Sequence, residues 1–389
     1  MNFFKKNRKY ISFYLSVLIF LLPISKSFAE SKLDIDSKSA ILIDSSSGEI
    51  IYEKKAHERL HPASITKIMV LLLSIESIEK NEINLEDEVT ISANAAGMGG
   101  SQIYLEEGEV QSVEELLTAI CLRSANDASV AMAEYISGSE ESFINKMNER
   151  AKELGMKNTS FKNATGLPAE NHYTSAYDIS IMARELLKYP KIHEWLTIWM
   201  KEMKVGKDKE IVQGLVNTNR LIKEYEGANG IKTGSTQDAG FCLAASAERG
   251  NLKLISVVLG CETSKIRFDE SKKLLDYGFS NYDSVTIGRK NDIIDKVVVQ
   301  KGNVEKADVV LERDAYILLP KDSKAKVEKE IILPKSINAP VDKGKKAGEM
   351  VLSVDGKEIQ KINLLIDNTI DKAGFKNMFK KSFNKFLTQ

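Results

Sequence analysis

The arrangement of apolar and polar positions divides the chain into stretches of different texture. Ser39–Ile43 and Glu49–Tyr52 are short strand-like runs separated by Asp44-Ser45-Ser46-Ser47-Gly48, so a hairpin is expected there. Pro62 precedes a helical stretch from Ser64 to about Ile78, whose segment Ile68–Leu73 is apolar all round, as in a helix buried inside protein. Residues 113–136 and 140–154 carry apolar positions at three- to four-residue spacing and predict further helices, the second stopped by Gly155. Phe241–Ala247 and Leu252–Leu259, joined by Arg249-Gly250-Asn251, predict a hairpin of two buried strands. Helices between an early and a late hairpin imply an α/β or α+β domain over residues 30–281.

From Tyr282 the texture changes. Val297–Gln300, Val309–Leu311, Tyr316–Leu319, Glu330–Leu333, Met350–Val354 and Lys361–Ile366 read as short strands between turns such as Lys301-Gly302-Asn303 and Asp355-Gly356. That spacing predicts a small all-β domain over 282–367. In the tail, 368–389, Phe375, Phe379, Phe383 and Phe386 fall on one helical face while Lys372, Lys376, Lys380, Lys381 and Lys385 occupy much of the rest. A basic amphipathic helix of this kind is suited to the headgroup region of a membrane surface.

The first 29 residues have a basic head (Lys5–Lys9), a 14-residue apolar stretch (Ile11–Ile24) and a small-x-small site at Ser27-Phe28-Ala29. This is the pattern of an export signal cleaved after Ala29, and it is short of the ~20 apolar residues that span a bilayer. The formal charge of the whole chain is zero, but the signal holds five bases and no acid, which leaves 50 bases against 55 acids. A mildly acidic body offers no electrostatic footprint for nucleic acid. Cys121, Cys242 and Cys261 are too few and too scattered for a disulfide framework or a zinc site, and are read as buried free thiols. The four histidines (His57, His61, His172, His193) form no HExxH-like cluster, so neither metal nor cofactor is expected.

Three short motifs carry candidate chemistry. In Ser64-Ile65-Thr66-Lys67 the lysine lies one helical turn from the serine, where it can take the hydroxyl proton. The pattern recurs at Ser77/Lys80, Ser323/Lys326 and Ser382/Lys385; Ser64 differs in following Pro62 at the start of a buried helix, where its backbone N–H is free to face an oxyanion. Ser124-Ala125-Asn126 stands where one helical run ends and another begins. Lys232-Thr233-Gly234 occurs once, directly before a predicted strand. It offers a fixed positive charge, a hydroxyl and a residue that lets a ligand backbone approach. Each motif alone is weak. Their order, at separations of 60 and 108 residues, matches the signature of class A β-lactamases and penicillin-binding proteins.

From about Ala40 onward the chain resembles the D-alanyl-D-alanine carboxypeptidases, the low-molecular-mass penicillin-binding serine peptidases. Beyond the three motifs, Asn163-Ala164-Thr165-Gly166-Leu167 resembles the family's Asn-x-Thr-Gly-Leu segment, and Ser175-Ala176-Tyr177-Asp178 its Ser/Thr-Ala-x-Asp stretch. Arg267 stands where the family has an arginine associated with the substrate carboxylate. Over 283–389 the similarity is mainly architectural. The resemblance implies a β-lactamase/transpeptidase-like α+β domain, an antiparallel sheet flanked by helices, with a β-rich domain and a membrane-associating tail. It implies Ser64 as nucleophile, Lys67 as base and Ser124 as proton relay. Asn126, Lys232, Thr233, Gly234, Ser235 and Arg267 would then bind or position substrate. The expected partners are a peptidoglycan stem peptide, β-lactams as covalent inhibitors and the outer face of the cytoplasmic membrane. A β-lactamase is the nearest rival, opposed by Ser-Ala-Asn in place of Ser-Asp-Asn and by the lack of a Glu-x-x-x-Asn segment. A non-catalytic wall-binding protein of the same fold is the rival from another class.

Overall fold

The structure, a computed structural model, describes residues 33–374. The expected export signal and the phenylalanine-bearing part of the tail lie outside the described residues.

Strands β1 (Ser39–Asp44) and β2 (Ile50–Lys54) form the expected hairpin, with Leu42 opposite Tyr52. The buried helix α1 (Lys67–Glu79) follows. Ser64 does not belong to it: Ala63–Thr66 make a separate 3₁₀ turn, entered through Ala63 at φ 47°. Short strands β3 (Glu88–Thr90) and β4 (Val110–Ser112) pair before α2 (Val113–Leu122), which opens on a capping box between Ser112 and Glu115. The apolar run 113–136 is interrupted as the Ser-x-Asn motif suggested. Helix α2 ends, Ser124 takes φ 61°, and α3 (Asn126–Ser137) begins. Helix α4 (Glu140–Glu153) runs to Gly155, whose φ of 77° ends it. Helix α5 (Ala176–Leu186) and the hairpin β5 (Met200–Val205) and β6 (Ile211–Val216) come next.

Strands β7 (Ala228–Thr236), β8 (Gly240–Arg249) and β9 (Leu252–Cys261) complete an antiparallel five-stranded sheet in the order β2-β1-β9-β8-β7. Lys232-Thr233-Gly234 therefore lies within edge strand β7, not ahead of a strand. Glycine and lysine have low intrinsic strand preference, and pairing along β8 overrides it. Helices cover both faces. Ile41 and Ile43 join the core that contains α1 to α5, while Leu42 and Leu254 meet Gly278 of α6 (Ser264–Asn281) on the other side. Cys121, Cys242 and Cys261 are buried and free, and Cys261 sits opposite Phe241 rather than Cys242.

The β-rich region comprises β10 (Tyr282–Gly288), β11 (Ile293–Gln300), β12 (Lys306–Leu311), β13 (Ala315–Pro320), β14 (Val327–Ile332), β15 (Ile337–Asn338), β16 (Lys346–Val354) and β17 (Lys357–Ile366). They form a pair, β10-β13, and a six-stranded sheet ordered β14-β16-β17-β12-β11-β15 around a core of its own. The beginning of the expected tail helix is not helical. Ile370 bridges Val341, Lys372 bridges Gly302, and Ile370 is buried, so residues 369–373 stay extended against the β-domain. Burying Ile370 there gains more than exposing it on a helix.

Candidate active site

Three of the expected residues meet directly. Lys67, wholly buried, lies with Nζ 3.1 Å from Ser64 Oγ, 2.7 Å from Asn126 Oδ1 and 2.6 Å from the Thr165 carbonyl oxygen. Burial, and after it the nearby Lys232, hold the Lys67 amine well below the ordinary lysine range. The protonation consequence is geometric. Asn126 Oδ1 and the Thr165 carbonyl only accept, so a neutral amine spends its two N–H groups on them and turns its lone pair to the Ser64 hydroxyl. The Asn126 amide is fixed in that sense, because its Nδ2 donates to the Gly99 carbonyl at 2.7 Å.

The Ser64 turn is clamped between two glycines. A Cβ on Gly234 of β7 would lie 3.0 Å from the Ser64 nitrogen and 3.1 Å from the Pro62 oxygen. A Cβ on Gly166 would lie 1.8 Å from the Ala63 oxygen, and Gly166 has φ 83°. The backbone of β7 thus passes directly beside the Ser64 N–H, and Ser235 follows Gly234 at the exposed end of the strand. The N–H groups at the start of a helical turn lack intrahelical acceptors, which suits this edge to a developing negative charge.

Ser124 stands at the α2–α3 junction with its Oγ buried and without a hydrogen-bond partner among the described residues. Asp127 secures the loop facing it by accepting from the Ile103 and Leu105 N–H groups. Lys232 is buried, and the one hydrogen bond its Nζ makes among the described residues is a long contact of 3.3 Å to the Thr233 carbonyl. Burial brings its pKa down to about 7, with Arg267 contributing in the same direction. An ammonium so poorly compensated is a ready receptor for a carboxylate. The Thr233 hydroxyl donates to Thr218 Oγ1 at 2.8 Å, so it must rotate to serve a ligand. Thr218 was not singled out by the sequence; only the loop packing of 217–219 brings it to β7. Arg267 Nη1 donates to the Gly234 carbonyl at 3.1 Å, its guanidinium is stacked on Phe268, and its Nε has no partner among the described residues. His61 does not pair with Ser64; its Nδ1 lies 3.3 Å from the His172 carbonyl.

The sequence missed the Thr165 carbonyl, since a main-chain acceptor has no side-chain signature. The signal available was the neighbouring Gly166, which marks a backbone that approaches another closely.

Comparison with known proteins finds matches over most of the chain. A family model described as D-alanyl-D-alanine carboxypeptidase matches residues 26–263, and one described as the C-terminal domain of penicillin-binding protein 5 matches 282–372. D-alanyl-D-alanine carboxypeptidase DacF of Bacillus subtilis is 46% identical over 353 residues, covering 90% of each chain. Among solved structures, penicillin-binding protein 5 of Haemophilus influenzae superposes with a TM-score of 0.71 at 32% identity, covering 87% of this chain and 98% of that one. Penicillin-binding protein D2 of Listeria monocytogenes, in an ampicillin-bound form, gives a TM-score of 0.57 at 28% identity over 63% of this chain and 98% of its own.

Proposed function

Since this chain belongs to the D-alanyl-D-alanine carboxypeptidase family of penicillin-binding serine peptidases, we propose that Ser64 is the nucleophile by which it removes the terminal D-alanine of a peptidoglycan stem pentapeptide. The observation that carries this reading is the lysine held between two obligate acceptors with its third direction on Ser64 Oγ. Ser64 Oγ attacks the carbonyl carbon between the two D-alanines as its proton passes to Lys67 Nζ. The oxyanion accepts from the N–H groups of Ser64 and Ser235. Collapse breaks the C–N bond, and the departing amine takes a proton relayed through Ser124 Oγ. Water then hydrolyses the ester and restores Ser64. Lys232 receives the substrate carboxylate, Thr233 donates to it after rotating from Thr218, and Arg267 holds the Gly234 backbone and adds positive charge.

The same centre fits a β-lactam, whose carboxylate would meet Lys232 and whose ring carbonyl would acylate Ser64; the ampicillin-bound state of the Listeria relative supports this. Division of the chain into an export signal (1–29), a catalytic domain (30–281), a β-rich domain (282–367) and a basic tail (368–389) belongs to the same reading. In this proposal the tail, in which helical spacing would put Phe375, Phe379, Phe383 and Phe386 on one face, attaches the exported enzyme to the outer face of the cytoplasmic membrane. Mass spectrometry of diacetyl-Lys-D-Ala-D-Ala after incubation tests the reaction, with loss of one alanine expected. Covalent labelling of Ser64→Ala by fluorescent penicillin would overturn the assignment of the nucleophile.

A further inference from the structure

The segment that offers the Thr165 carbonyl to Lys67 is shaped by one side chain. Asn163 Oδ1 accepts from Gly166 N at 2.7 Å, Thr165 Oγ1 at 3.1 Å and Thr165 N at 3.2 Å, while its Nδ2 donates to the Leu167 carbonyl at 2.9 Å. Four hydrogen bonds from one amide close a turn around Thr165, the residue whose carbonyl oxygen accepts from Lys67 Nζ. The ends of the segment are tied elsewhere: Ala164 N donates to Glu140 Oε1 of α4, and Gly166 is pressed on the Ala63 carbonyl.

We propose that Asn163 is a positioning residue for proton transfer: its side-chain amide aims the Thr165 carbonyl that keeps the Lys67 lone pair on Ser64. The inference rests on Ser64 and Lys67 being the reacting pair. A neutral amine with both acceptors in place has a single direction left for its lone pair. If the Thr165 carbonyl turns away, the amine rotates about Cε–Nζ and donates to Ser64 Oγ, and the lone pair then misses the proton it must take. Nor does alkaline pH repair this. Losing the carbonyl dipole destabilises the ammonium form, so the lysine is at least as easily neutral as before and only its orientation is wrong.

The test measures penicillin acylation in the full chain as a function of pH, separating the pre-covalent affinity from the acylation rate constant. Asn163→Ala should lower the plateau rate constant on the order of 10²-fold, the scale of a small misplacement at a reacting centre, with the pre-covalent affinity unchanged and the acidic limb not moved upward. Asn163→Ser keeps an uncharged acceptor that can close the same turn more weakly, and should recover part of the lost plateau rate. If Asn163→Ala does not fold, Thr165→Val removes the hydroxyl's bond to Asn163 and the one it accepts from Leu167 N, and should slow acylation at least about fivefold, the worth of one hydrogen bond. A plateau equal to that of the unaltered enzyme in Asn163→Ala or Thr165→Val overturns the proposal. So does a loss that alkaline pH restores, or a serine variant no faster than alanine. Failure of the Ser64 assignment would look different, as label surviving in Ser64→Ala.

Discussion

The Gly166 Cα faces the Ala63 carbonyl so closely that a Cβ there would lie 1.8 Å from the oxygen. The contact joins the loop that supplies the Thr165 acceptor to the turn that carries Ser64. Alanine at 166 meets both that clash and a φ of 83°, where a Cβ is strained. Gly166→Ala should therefore destabilise the protein by at least about 2 kcal/mol, since positive-φ strain alone costs of order 1–3 kcal/mol. Folded material should acylate slowly because the Ser64 turn must shift. Thermal melts and fluorescent-penicillin labelling check the two effects; a variant as stable and as reactive as the original would mean that the two segments can separate freely.

Ser124 offers the opposite combination. Its Oγ is buried without a partner among the described residues, so the fold gains nothing from the hydroxyl and bears its desolvation. Ser124→Ala should melt at or above the temperature of the unaltered protein. Removing a proton relay should nevertheless slow turnover about 10²- to 10⁴-fold. A matched loss of stability and activity would point to a structural role instead.

How much of this was legible in the sequence depends on which kind of atom does the work. Ser64, Lys67 and Asn126 could be read because their side chains carry the chemistry and the spacing Ser-x-x-Lys fits one turn. The Thr165 carbonyl could not, because main-chain acceptors are alike until a fold aims one. The β7 strand escaped for another reason. Its central residues Gly230, Lys232 and Gly234 disfavour a strand locally, and the conformation comes from pairing with β8. Helix α6 was also missed: Phe268, Leu274, Leu275 and Phe279 are buried, but charged residues crowd the same stretch and blur the period. In the β-rich region, alternation located most strands, and β15, two residues long, offered no pattern to read.

Lys67→Arg isolates the need for a neutral base. The Lys67 amine is held well below its ordinary range, by burial first and by Lys232 second, whereas a guanidinium stays charged. In the unaltered enzyme, acylation should fall as pH drops through the lowered Lys67 pKa, with the acidic limb well below the ordinary lysine value of about 10.4. The arginine variant should lose acylation at least about 10³-fold, as expected when the base of a nucleophile–base pair is removed, with no recovery at alkaline pH. A rate that climbs with pH in the arginine variant would show that another group accepts the proton.

Lys232 links recognition to stability through pH. Its folded pKa of about 7, depressed chiefly by burial, lies below the value of about 10.4 expected of an unfolded lysine. Below the folded value both states are protonated and the full penalty of burying the ammonium is present. Between the two values the unfolded chain binds more protons, so stability rises with pH, by at most about 1.4 kcal/mol per unit. Above the unfolded value the penalty is gone. Methionine has similar length and no charge, so Lys232→Met should be more stable than the unaltered chain at neutral pH, and the gap should close toward alkaline pH. Groups that do not feel Lys232 are present in both chains and largely cancel; Lys67, whose amine the Lys232 charge also pushes down, is relieved in the methionine variant and widens the gap at neutral pH in the same sense. Denaturant unfolding of the two proteins at several pH values measures the gap. A difference independent of pH would mean that the buried amine is already compensated. The same variant should lose carboxylate recognition and penicillin acylation, as expected if an uncompensated charge is kept at a cost in stability because substrate supplies its partner.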